Sequence, residues 1–369
     1  MSRLRVSVIV DTFNHERYIA KALDSVVAQF DDFPAGEVEV LVVDDGSSDK
    51  TPDILESYSA KIRILRKANG GQASAFNEAI AATTGEIVAF LDGDDWWEAG
   101  KLRAVVQAFD GNPSIAAVGH GFYEVMEDAP PREMLVPDRT RILDLSSIEA
   151  ARIADLGRTL LGTSRLAVRR RVLEQLGNIP EKLVFCADTP ILTIALAVGG
   201  ALVLDQPLCF YRIHGSSLFS VTHHDPKKLR ARAEIQRFLL EYLSGRLAEL
   251  GVRAEIIDAL FNLDRLGLKR TDIWLGQSGG RRDAAAIELE ELRKTHQVVG
   301  SRYVFFKRAA AAIAFALGPE RYLGLRDWYS RNNLRRFRDK LAPTEAPDEE
   351  RMFQRRPVVW ADEPNAVKR

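Results

Sequence analysis

Residues 87–95 read Ile-Val-Ala-Phe-Leu-Asp-Gly-Asp-Asp. The five apolar residues follow a Thr-Gly turn signal, which is typical of a short buried strand. Asp92, Asp94 and Asp95 therefore follow the carboxyl end of that strand, where their negative charges repel one another. A hard divalent cation offsets such repulsion, and Mg²⁺ is usually held by one or two protein carboxylates plus substrate phosphates. The segment predicts a site for a metal ion and a diphosphate, whereas an acidic turn that only caps the next helix is the alternative.

The composition describes an ordinary globular protein. The chain has 369 residues, of which 46% are hydrophobic and 28% charged, and its length suits two domains. The net charge of −1 gives no overall field that favours nucleic acid, so no nucleic-acid partner is expected. Two cysteines without a spaced motif argue against a disulfide framework and a cysteine zinc site, and they fit a reducing cytosol. No apolar run approaches the length of about 18 residues that predicts a transmembrane helix, and the N-terminus lacks the apolar segment of a signal peptide.

Strands and helices alternate in the first part of the chain. The apolar runs 6–10, 38–43, 62–65 and 86–91 predict strands, and residues 16–29, 72–82 and 101–109 predict helices. This alternation predicts a mainly parallel sheet with helices on both faces. Ligands of such sheets bind beyond the carboxyl ends of the strands. Asp11, Asp45 and Asp92 follow three of these ends, and we expect them to converge on one crevice.

The rest of the chain falls into a mixed segment and a helical one. Residues 115–118, 122–126, 165–168 and 202–204 predict further short strands. From residue 227 to about residue 333 the pattern is charged and helical, and residues 342–369 are rich in Pro, Glu and Arg. We predict an α/β domain over residues 1–224, a C-terminal helical region over 225–341 and a flexible tail over 342–369.

Six short segments form a recognisable series. In chain order they are Val6–Asn14, Val43–Thr51, Asn69–Asn77, Phe90–Trp97, Ala187–Leu192 and Tyr211–Ser217. Together they closely resemble the family 2 glycosyltransferases of the GT-A fold, over about the first 215 residues. The resemblance implies a Rossmann-like, mainly parallel sheet and a metal-dependent, inverting transfer of a hexose, typical of polysaccharide biosynthesis.

The resemblance also implies a binding site for the nucleotide-sugar donor. Asp11 and Thr12 would lie along the base, and Asp45 would accept a hydrogen bond from a base N–H. The full set of implied donor-binding residues is Asp11, Thr12, Asn14, Asp45, Asn69, Gly71, Gln72, Asp92 and Gly93. From the residues alone, a turn-forming Asp45 and an ordinary glycine loop around Gly71 remain open.

A metal centre is implied at the aspartates that follow the fourth strand. Asp94 would be the main ligand of Mn²⁺ or Mg²⁺, while Asp92 or Asp95 would hold the ribose hydroxyls or a metal-bound water. His214 would be a further contact to the metal or the diphosphate, because neutral imidazole can ligate a metal. A purely structural histidine at this position stays open.

Asp188 matches the catalytic base of the family. It would take the proton of an acceptor hydroxyl as that oxygen attacks the anomeric carbon, and a single displacement inverts the configuration. The usual Glu-Asp pair is reduced here to Ala187-Asp188, and many relatives carry an arginine where this chain has Phe76. An N-cap role for Asp188 at the start of a helix is the alternative.

The predicted reaction moves a sugar from a UDP-, GDP- or dTDP-linked donor to a hydroxyl of a glycan or of a lipid-linked acceptor. One of Trp96 and Trp97 is expected in the core and the other as a platform for the acceptor sugar. A catalytically inactive nucleotide-sugar-binding or scaffold protein is one alternative. A sugar-nucleotide nucleotidyltransferase is another, although residues 11–15 are not the glycine-rich, basic loop that grips a triphosphate.

Residues 301–340 contain an excess of basic residues beside aromatic ones. This composition is typical of a helix that rests on anionic lipid, and it predicts a peripheral membrane contact that serves a lipid-linked acceptor. The expected location is cytoplasmic, at the inner face of the membrane. A helix that packs on the rest of the protein with a solvated basic face is the alternative.

Overall fold

A computed structural model describes residues 5–126, 131, 133–214, 226–295, 301–318, 321, 325 and 353–357. These residues form two compact units. The first takes its described residues from Met1–Ile142, Leu160–Ser220 and Gln354–Arg369, and the second from Leu143–Thr159 and Val221–Phe353. The sequence-based boundary after residue 224 placed residues 143–159 with the first unit, whereas their contacts group them with the helices of the second.

The first unit is built on a mainly parallel sheet. Its first four strands are β1 (Val6–Thr12), β2 (Val38–Asp44), β3 (Arg63–Arg66) and β4 (Ile87–Asp92). They lie parallel in the order β3-β2-β1-β4, and the apolar runs of β1, β2 and β4 are almost entirely buried. Near-continuous apolar strands are expected where both faces of a parallel sheet are covered. The covering helices begin with α1 (Ile19–Val27), α2 (Thr51–Glu56), α3 (Gln72–Ala82) and α4 (Lys101–Gly111). The predicted α/β fold is confirmed.

Beyond β4 the sheet becomes mixed. The added strands are β5 (Trp96–Trp97), β6 (Ala117–Met126), β7 (Glu133–Pro137), β8 (Arg141–Leu143), β9 (Ala167–Arg169), β10 (Ala201–Ile213) and β11 (Phe353–Pro357). Strand β9 lies antiparallel between β4 and β6, while β10 runs parallel to β6 and pairs with β5. Helices α6 (Arg170–Leu176) and α7 (Asp188–Val198) complete this half.

Two strands are longer than the sequence predicts. The predicted strands 115–118 and 122–126 are one strand, β6, because its interior glycines allow close approach: a Cβ on Gly119 would lie 2.5 Å from the Leu160 carbonyl oxygen. The predicted strand 202–204 is only the beginning of the 13-residue β10. Its register shifts on both sides of Pro207, so bulges absorb a residue that reads as a turn.

The second unit is helical. It comprises α5 (Ile148–Gly157), α8 (Pro226–Glu249), α9 (Ala254–Leu260), α10 (Asn262–Trp274), α11 (Arg281–Thr295) and α12 (Ser301–Leu317). A partly buried ion cluster ties α5 to α10, because the Arg158 guanidinium contacts both Asp155 and Asp264, at 2.7 and 2.5 Å. The Asp155 carboxylate also accepts the backbone N–H of Leu263 at the start of α10.

The predicted tail and membrane contact lie largely outside the described residues. Of residues 342–369 the structure describes only β11, which borders β7. Of residues 301–340 it describes α12 with residue 318, and residues 321 and 325. Among the described helices, none is both long enough and apolar enough to cross a bilayer.

Candidate active site

The carboxyl ends of β1, β2 and β4 bring the predicted donor-site aspartates to one edge of the sheet. Asp11 pairs with Asp92 in the parallel register of β1 and β4. Next to it, the Asp45 backbone N–H donates to the Thr12 carbonyl over 2.9 Å. The backbone N–H of Gly93 donates to the Asp11 carbonyl over 2.9 Å, and a Cβ at Gly93 would collide with Thr12. A glycine is thus required where the turn after β4 crosses the end of β1.

Asp92, Asp94 and Asp95 form a compact group, here called the acidic corner. Each offers a carboxylate oxygen within 4.8 Å of the others. Asp94 Oδ2 lies 2.9 Å from His214 Nε2, so the structure joins these two predicted metal contacts. Asp95 is 1% exposed, and both its oxygens accept hydrogen bonds, from the Ser164 hydroxyl (2.6 Å) and the Arg212 backbone N–H (2.8 Å).

Burial and mutual repulsion shift the pKa values of these carboxyl groups. Burial, followed by the charge of Asp94, raises the pKa of Asp11 and that of Asp95 to about 7. Burial and four neighbouring carboxylates raise the pKa of Asp92 well above its usual value. Burial also opposes ionisation of Asp94, yet the hydrogen bond with His214 and the nearby imidazoles hold its pKa below the usual value. Asp94 is therefore the most readily ionised member of the acidic corner.

The donor set fits a hard divalent cation. Carboxylate oxygens and an imidazole nitrogen converge, and repulsion among the carboxylates is what a cation would relieve. The buried Oδ1 of Asp11 also has no hydrogen-bond partner among the residues that the structure describes. A buried acceptor of this kind is costly unless a ligand or an ion satisfies it. Asp92, Asp94 and Asp95 are the residues that could hold the cation, with His214 beside them.

Asp188 lies within electrostatic reach of the acidic corner. Its charge is one of those that raise the pKa of Asp92. Asp188 Oδ2 accepts the Thr163 backbone N–H over 3.0 Å, and burial raises the pKa of Asp188. The N-cap alternative is wrong: Ala187 is the N-cap residue of α7 and Asp188 is the first helical residue. Its carboxylate is therefore not used as the N-cap of α7.

The side chain of Gln72 connects the two sides of the site. Its Nε2 donates to Asp92 Oδ1 over 3.0 Å, and its Oε1 accepts the Ala187 backbone N–H over 3.0 Å. Contact of Gln72 with the nucleotide stays a prediction. In the structure its amide holds the acidic corner against the residue that precedes Asp188.

Asp45 and Asn14, two of the predicted donor-binding residues, are held by hydrogen bonds just beyond the ends of β2 and β1. The Asp45 carboxylate accepts three hydrogen bonds, from Lys67 Nζ and from the backbone N–H groups of Gly70 and Gly71, at 2.7–2.9 Å. Asn14 has a left-handed backbone (φ 56°), and its side chain accepts the Ser48 backbone N–H over 2.8 Å.

Asn69 and Phe76 lie in different environments. Asn69 is exposed, and its backbone N would lie 2.8 Å from a Cβ on Gly46. Phe76 is fully buried and packs on Phe90 with ring centroids 5.0 Å apart. It is therefore a core residue.

The two tryptophans have different environments. Trp97 is 3% exposed, with Lys101 Nζ 3.6 Å from its ring centroid. Trp96 stacks on Phe210 with centroids 4.8 Å apart and an interplanar angle of 7°. Lys21 Nζ lies 3.6 Å from the Trp96 centroid, and an ammonium does not fit between two stacked rings, so it covers the other face. Trp97 is therefore the tryptophan in the core, as predicted, and an acceptor platform at Trp96 stays a prediction.

Sequence reasoning missed two residues at the centre of the site, Thr163 and Ser164. The Ser164 hydroxyl reaches the acidic corner, and the Thr163 backbone N–H reaches Asp188. Both are almost fully buried in a 3₁₀ turn that precedes β9. Because single small polar residues in a mixed segment carry no periodicity or motif, no sequence signal pointed to them.

Comparison with known proteins gives a consistent result. A family model described as "Glycosyl transferase family 2" matches residues 7–177. An uncharacterized glycosyltransferase of Nostoc sp. is 31% identical over 272 residues, which are 69% of this chain and 79% of that protein. An uncharacterized glycosyltransferase of Bacillus subtilis, EpsJ, is 30% identical over 227 residues, 59% of this chain and 64% of that protein. This chain thus spans less than two thirds of EpsJ.

A solved structure shares the fold. The crystal structure of Staphylococcus aureus TarS 1–349 in complex with UDP-GlcNAc matches with a TM-score of 0.55 and 21% identity. The match covers 87% of this chain and 92% of the TarS chain. At this identity the likeness establishes the GT-A type architecture.

Proposed function

The chain belongs to glycosyltransferase family 2, and we propose that it is an inverting, metal-dependent hexosyltransferase. Its donor is a nucleoside-diphosphate sugar, and its acceptor is a hydroxyl of a glycan or of a lipid-linked molecule. A UDP-sugar is the first donor class to test, because TarS binds UDP-GlcNAc.

The acidic corner is the proposed diphosphate end of the donor site. Asp94 is the principal ligand of Mn²⁺ or Mg²⁺, because it is the carboxylate most readily ionised and lies beside His214. Asp92 is the second ligand. Asp95 supports them from the protein side, since both its oxygens are already hydrogen-bonded to protein groups. When bound, the cation neutralises negative charge on the departing nucleoside diphosphate.

The base of the nucleotide is proposed to lie at the ends of β1 and β2, beside Asp11, Thr12 and Asp45. Asp45 already accepts three hydrogen bonds, and an ionised carboxylate has about four acceptor positions. One position is therefore left for a base N–H. The same three donors fix the carboxylate so that this position is held in place.

Asp188 is the proposed general base. The Thr163 N–H donates to Oδ2, and Oδ1 lies 3.4 Å from the Thr189 hydroxyl. Oδ1 is the atom proposed to take the proton of the acceptor hydroxyl. Burial raises the pKa of Asp188, which strengthens it as a base near neutral pH.

The observation that carries the proposal is the link between the two ends of the site. One glutamine side chain, that of Gln72, bonds both Asp92 and the residue before Asp188. Melting curves with UDP, GDP and dTDP, each with Mn²⁺ and with EDTA, test it. We expect one nucleotide to raise the melting temperature only with Mn²⁺, and the matching sugar nucleotide to be hydrolysed slowly. No shift with any of the three would reject the proposal.

A catalytically inactive sugar-nucleotide-binding protein is the alternative function. It predicts the same metal-dependent nucleotide binding without release of nucleoside diphosphate from the sugar donor. The Asp188 carboxylate is buried near the acidic corner and accepts a hydrogen bond from the Thr163 backbone N–H. This position favours catalysis, because a protein that only binds the sugar nucleotide has no use for a basic group there.

If the acceptor is lipid-linked, we propose that residues 301–340 contact the membrane surface. The protein would then lie in the cytoplasm, at the inner face of the membrane. Within the described part, Ile313 and Phe315 of α12 are 40% and 53% exposed, which is compatible with an interfacial helix. Flotation with anionic and with neutral liposomes tests this. Recovery of the protein at the bottom of both gradients would reject it.

A further inference from the structure

The 3₁₀ turn that contains Thr163 and Ser164 touches both chemical ends of the proposed site. The turn precedes β9, which pairs antiparallel with β4, and the Phe90 backbone N–H donates to the Leu166 carbonyl over 3.1 Å. This places the turn beside the carboxyl end of β4. Thr163 and Ser164 are 4% and 1% exposed, so the turn is part of the interior.

Ser164 holds the acidic corner. Its hydroxyl donates to Asp95 Oδ2 over 2.6 Å and accepts the Asp92 backbone N–H over 3.1 Å. It also lies 3.4 Å from Asp92 Oδ2. One hydroxyl therefore fixes the start of the acidic corner and its last carboxylate, which repel each other electrostatically.

Thr163, the residue before Ser164, holds the end of the site that contains Asp188. The Thr163 backbone N–H donates to Asp188 Oδ2 over 3.0 Å. The Thr163 hydroxyl lies 3.4 Å from Gln72 Nε2, the group that donates to Asp92. Two adjacent residues thus fix the position of Asp188 relative to the acidic corner.

The turn is itself anchored from behind. The Ser164 carbonyl accepts hydrogen bonds from Lys101 Nζ (2.8 Å) and from Trp97 Nε1 (2.9 Å). Lys101 is fully buried and lies over the Trp97 ring. A buried amine and a buried indole N–H directed at one carbonyl oxygen hold the peptide plane in place, and both groups would be costly to leave unpaired.

We infer that Thr163 and Ser164 form a positioning element that sets the distance between the cation site and the general base. Ser164 orients Asp92 and Asp95, and Thr163 orients Asp188. Like-charged carboxylates separate unless protein groups hold them, and partners behind metal ligands usually govern metal affinity. The inference rests on the proposed function and adds to it the residues that keep its two halves in register.

Ser7 provides a matched control at the opposite end of the same strands. Its hydroxyl donates to Glu39 Oε1 over 2.6 Å and accepts the Gly85 backbone N–H over 2.7 Å. It is 0% exposed and lies in β1. Ser7→Ala therefore removes a carboxylate-to-backbone bridge like that of Ser164, without touching the site.

The experiment compares wild type, Ser164→Ala, Ser164→Thr and Ser7→Ala at a temperature where all four are folded. Calorimetry measures the affinity for whichever of UDP, GDP and dTDP stabilises the wild type, with saturating Mn²⁺. We expect Ser164→Ala to weaken the affinity about 10–100-fold, the range usual for loss of a partner behind a metal ligand. Ser164→Thr keeps the hydroxyl and should recover most of it, and Ser7→Ala should bind like wild type despite a lower melting temperature.

The outcomes separate the inference from the function on which it rests. If wild type binds none of UDP, GDP and dTDP with Mn²⁺, the proposed function fails and the inference with it. If wild type binds but Ser164→Ala matches Ser7→Ala in affinity, the function stands and the positioning role is overturned. If nucleotide affinity falls in proportion to melting temperature in all variants, Ser164 acts only on folding stability, and the positioning role is likewise overturned.

Discussion

The cluster of carboxyl groups should make the metal-depleted protein less stable as pH rises. Asp11 offers the clearest case, because its pKa is raised from 3.8 to about 7 by burial and by Asp94. A raised carboxyl pKa means that the folded state keeps a proton which the unfolded state has lost. The resulting cost is absent below about pH 4 and grows as pH rises through about 7.

The magnitude follows from the size of the shift. At about 1.4 kcal/mol per pKa unit, a shift from 3.8 to about 7 costs at most about 4 kcal/mol of unfolding free energy at alkaline pH. About 3 kcal/mol of this develops between pH 5 and pH 8. Asp11→Asn removes the titrating group, so its stability relative to wild type should increase by up to that amount between pH 5 and pH 8.

Urea denaturation in EDTA at pH 5 and pH 8 measures the difference. Asp53→Asn, at an exposed position in the first turn of α2, removes a carboxylate outside the cluster and should show no such trend. Saturating Mn²⁺ should reduce the advantage of Asp11→Asn, since a cation relieves the same repulsion. A stability difference between Asp11→Asn and wild type that is equal at both pH values would refute the reasoning.

Three further substitutions separate the parts of the site. Asp188→Asn should leave Mn²⁺-dependent nucleotide affinity intact and lower release of nucleoside diphosphate from the donor sugar about 10²–10⁴-fold, the usual share of a general base; wild-type turnover would eliminate Asp188 as the base. Asp45→Ala should weaken the calorimetric affinity for UDP but not for inorganic pyrophosphate, because Asp45 lies at the end of the site proposed for the nucleotide base. Equal losses of affinity for both ligands would place Asp45 elsewhere. Gln72→Leu removes the hydrogen bonds to Asp92 and Ala187 and should lower both affinity and turnover about 10-fold; a change in turnover alone would mean that Gln72 does not support the acidic corner.

The convergence of the aspartates was accessible from sequence because it depends on local patterns and one general rule. Apolar runs identify β1, β2 and β4, and parallel strands present their carboxyl ends at one edge. The structure places Asp11 beside Asp92 as that rule requires. The bounds of α3, residues 72–82, also agree with the prediction, because its start follows a glycine pair and its interior is helix-forming.

The supporting groups could not be read from sequence, because they act across large separations. Ser164 bonds a carboxylate 69 positions away, and the amide of Gln72 bonds a backbone N–H 115 positions away. Lys101 begins a helix after a glycine and reads as a solvated residue, whereas it is fully buried. Such contacts follow from how the strands pack, and no local pattern encodes them.

The same limit explains the grouping of α5. No helix is predicted from sequence over α5, which Ser147 caps by accepting the Ala150 backbone N–H. The partner of that helix is set by buried charges: Asp155 and Arg158 meet Asp264, more than 100 positions later. Only the packing shows to which unit this helix belongs.

The central claim is that the acidic corner binds a cation and, through it, the donor diphosphate. Calorimetric titration of UDP or GDP into wild type and Asp94→Asn, each with Mn²⁺ and with EDTA, tests it most directly. The account predicts binding to wild type with Mn²⁺, and a loss of about 100-fold or more on either chelation or substitution. Nucleotide affinity that is the same in all four titrations would contradict it.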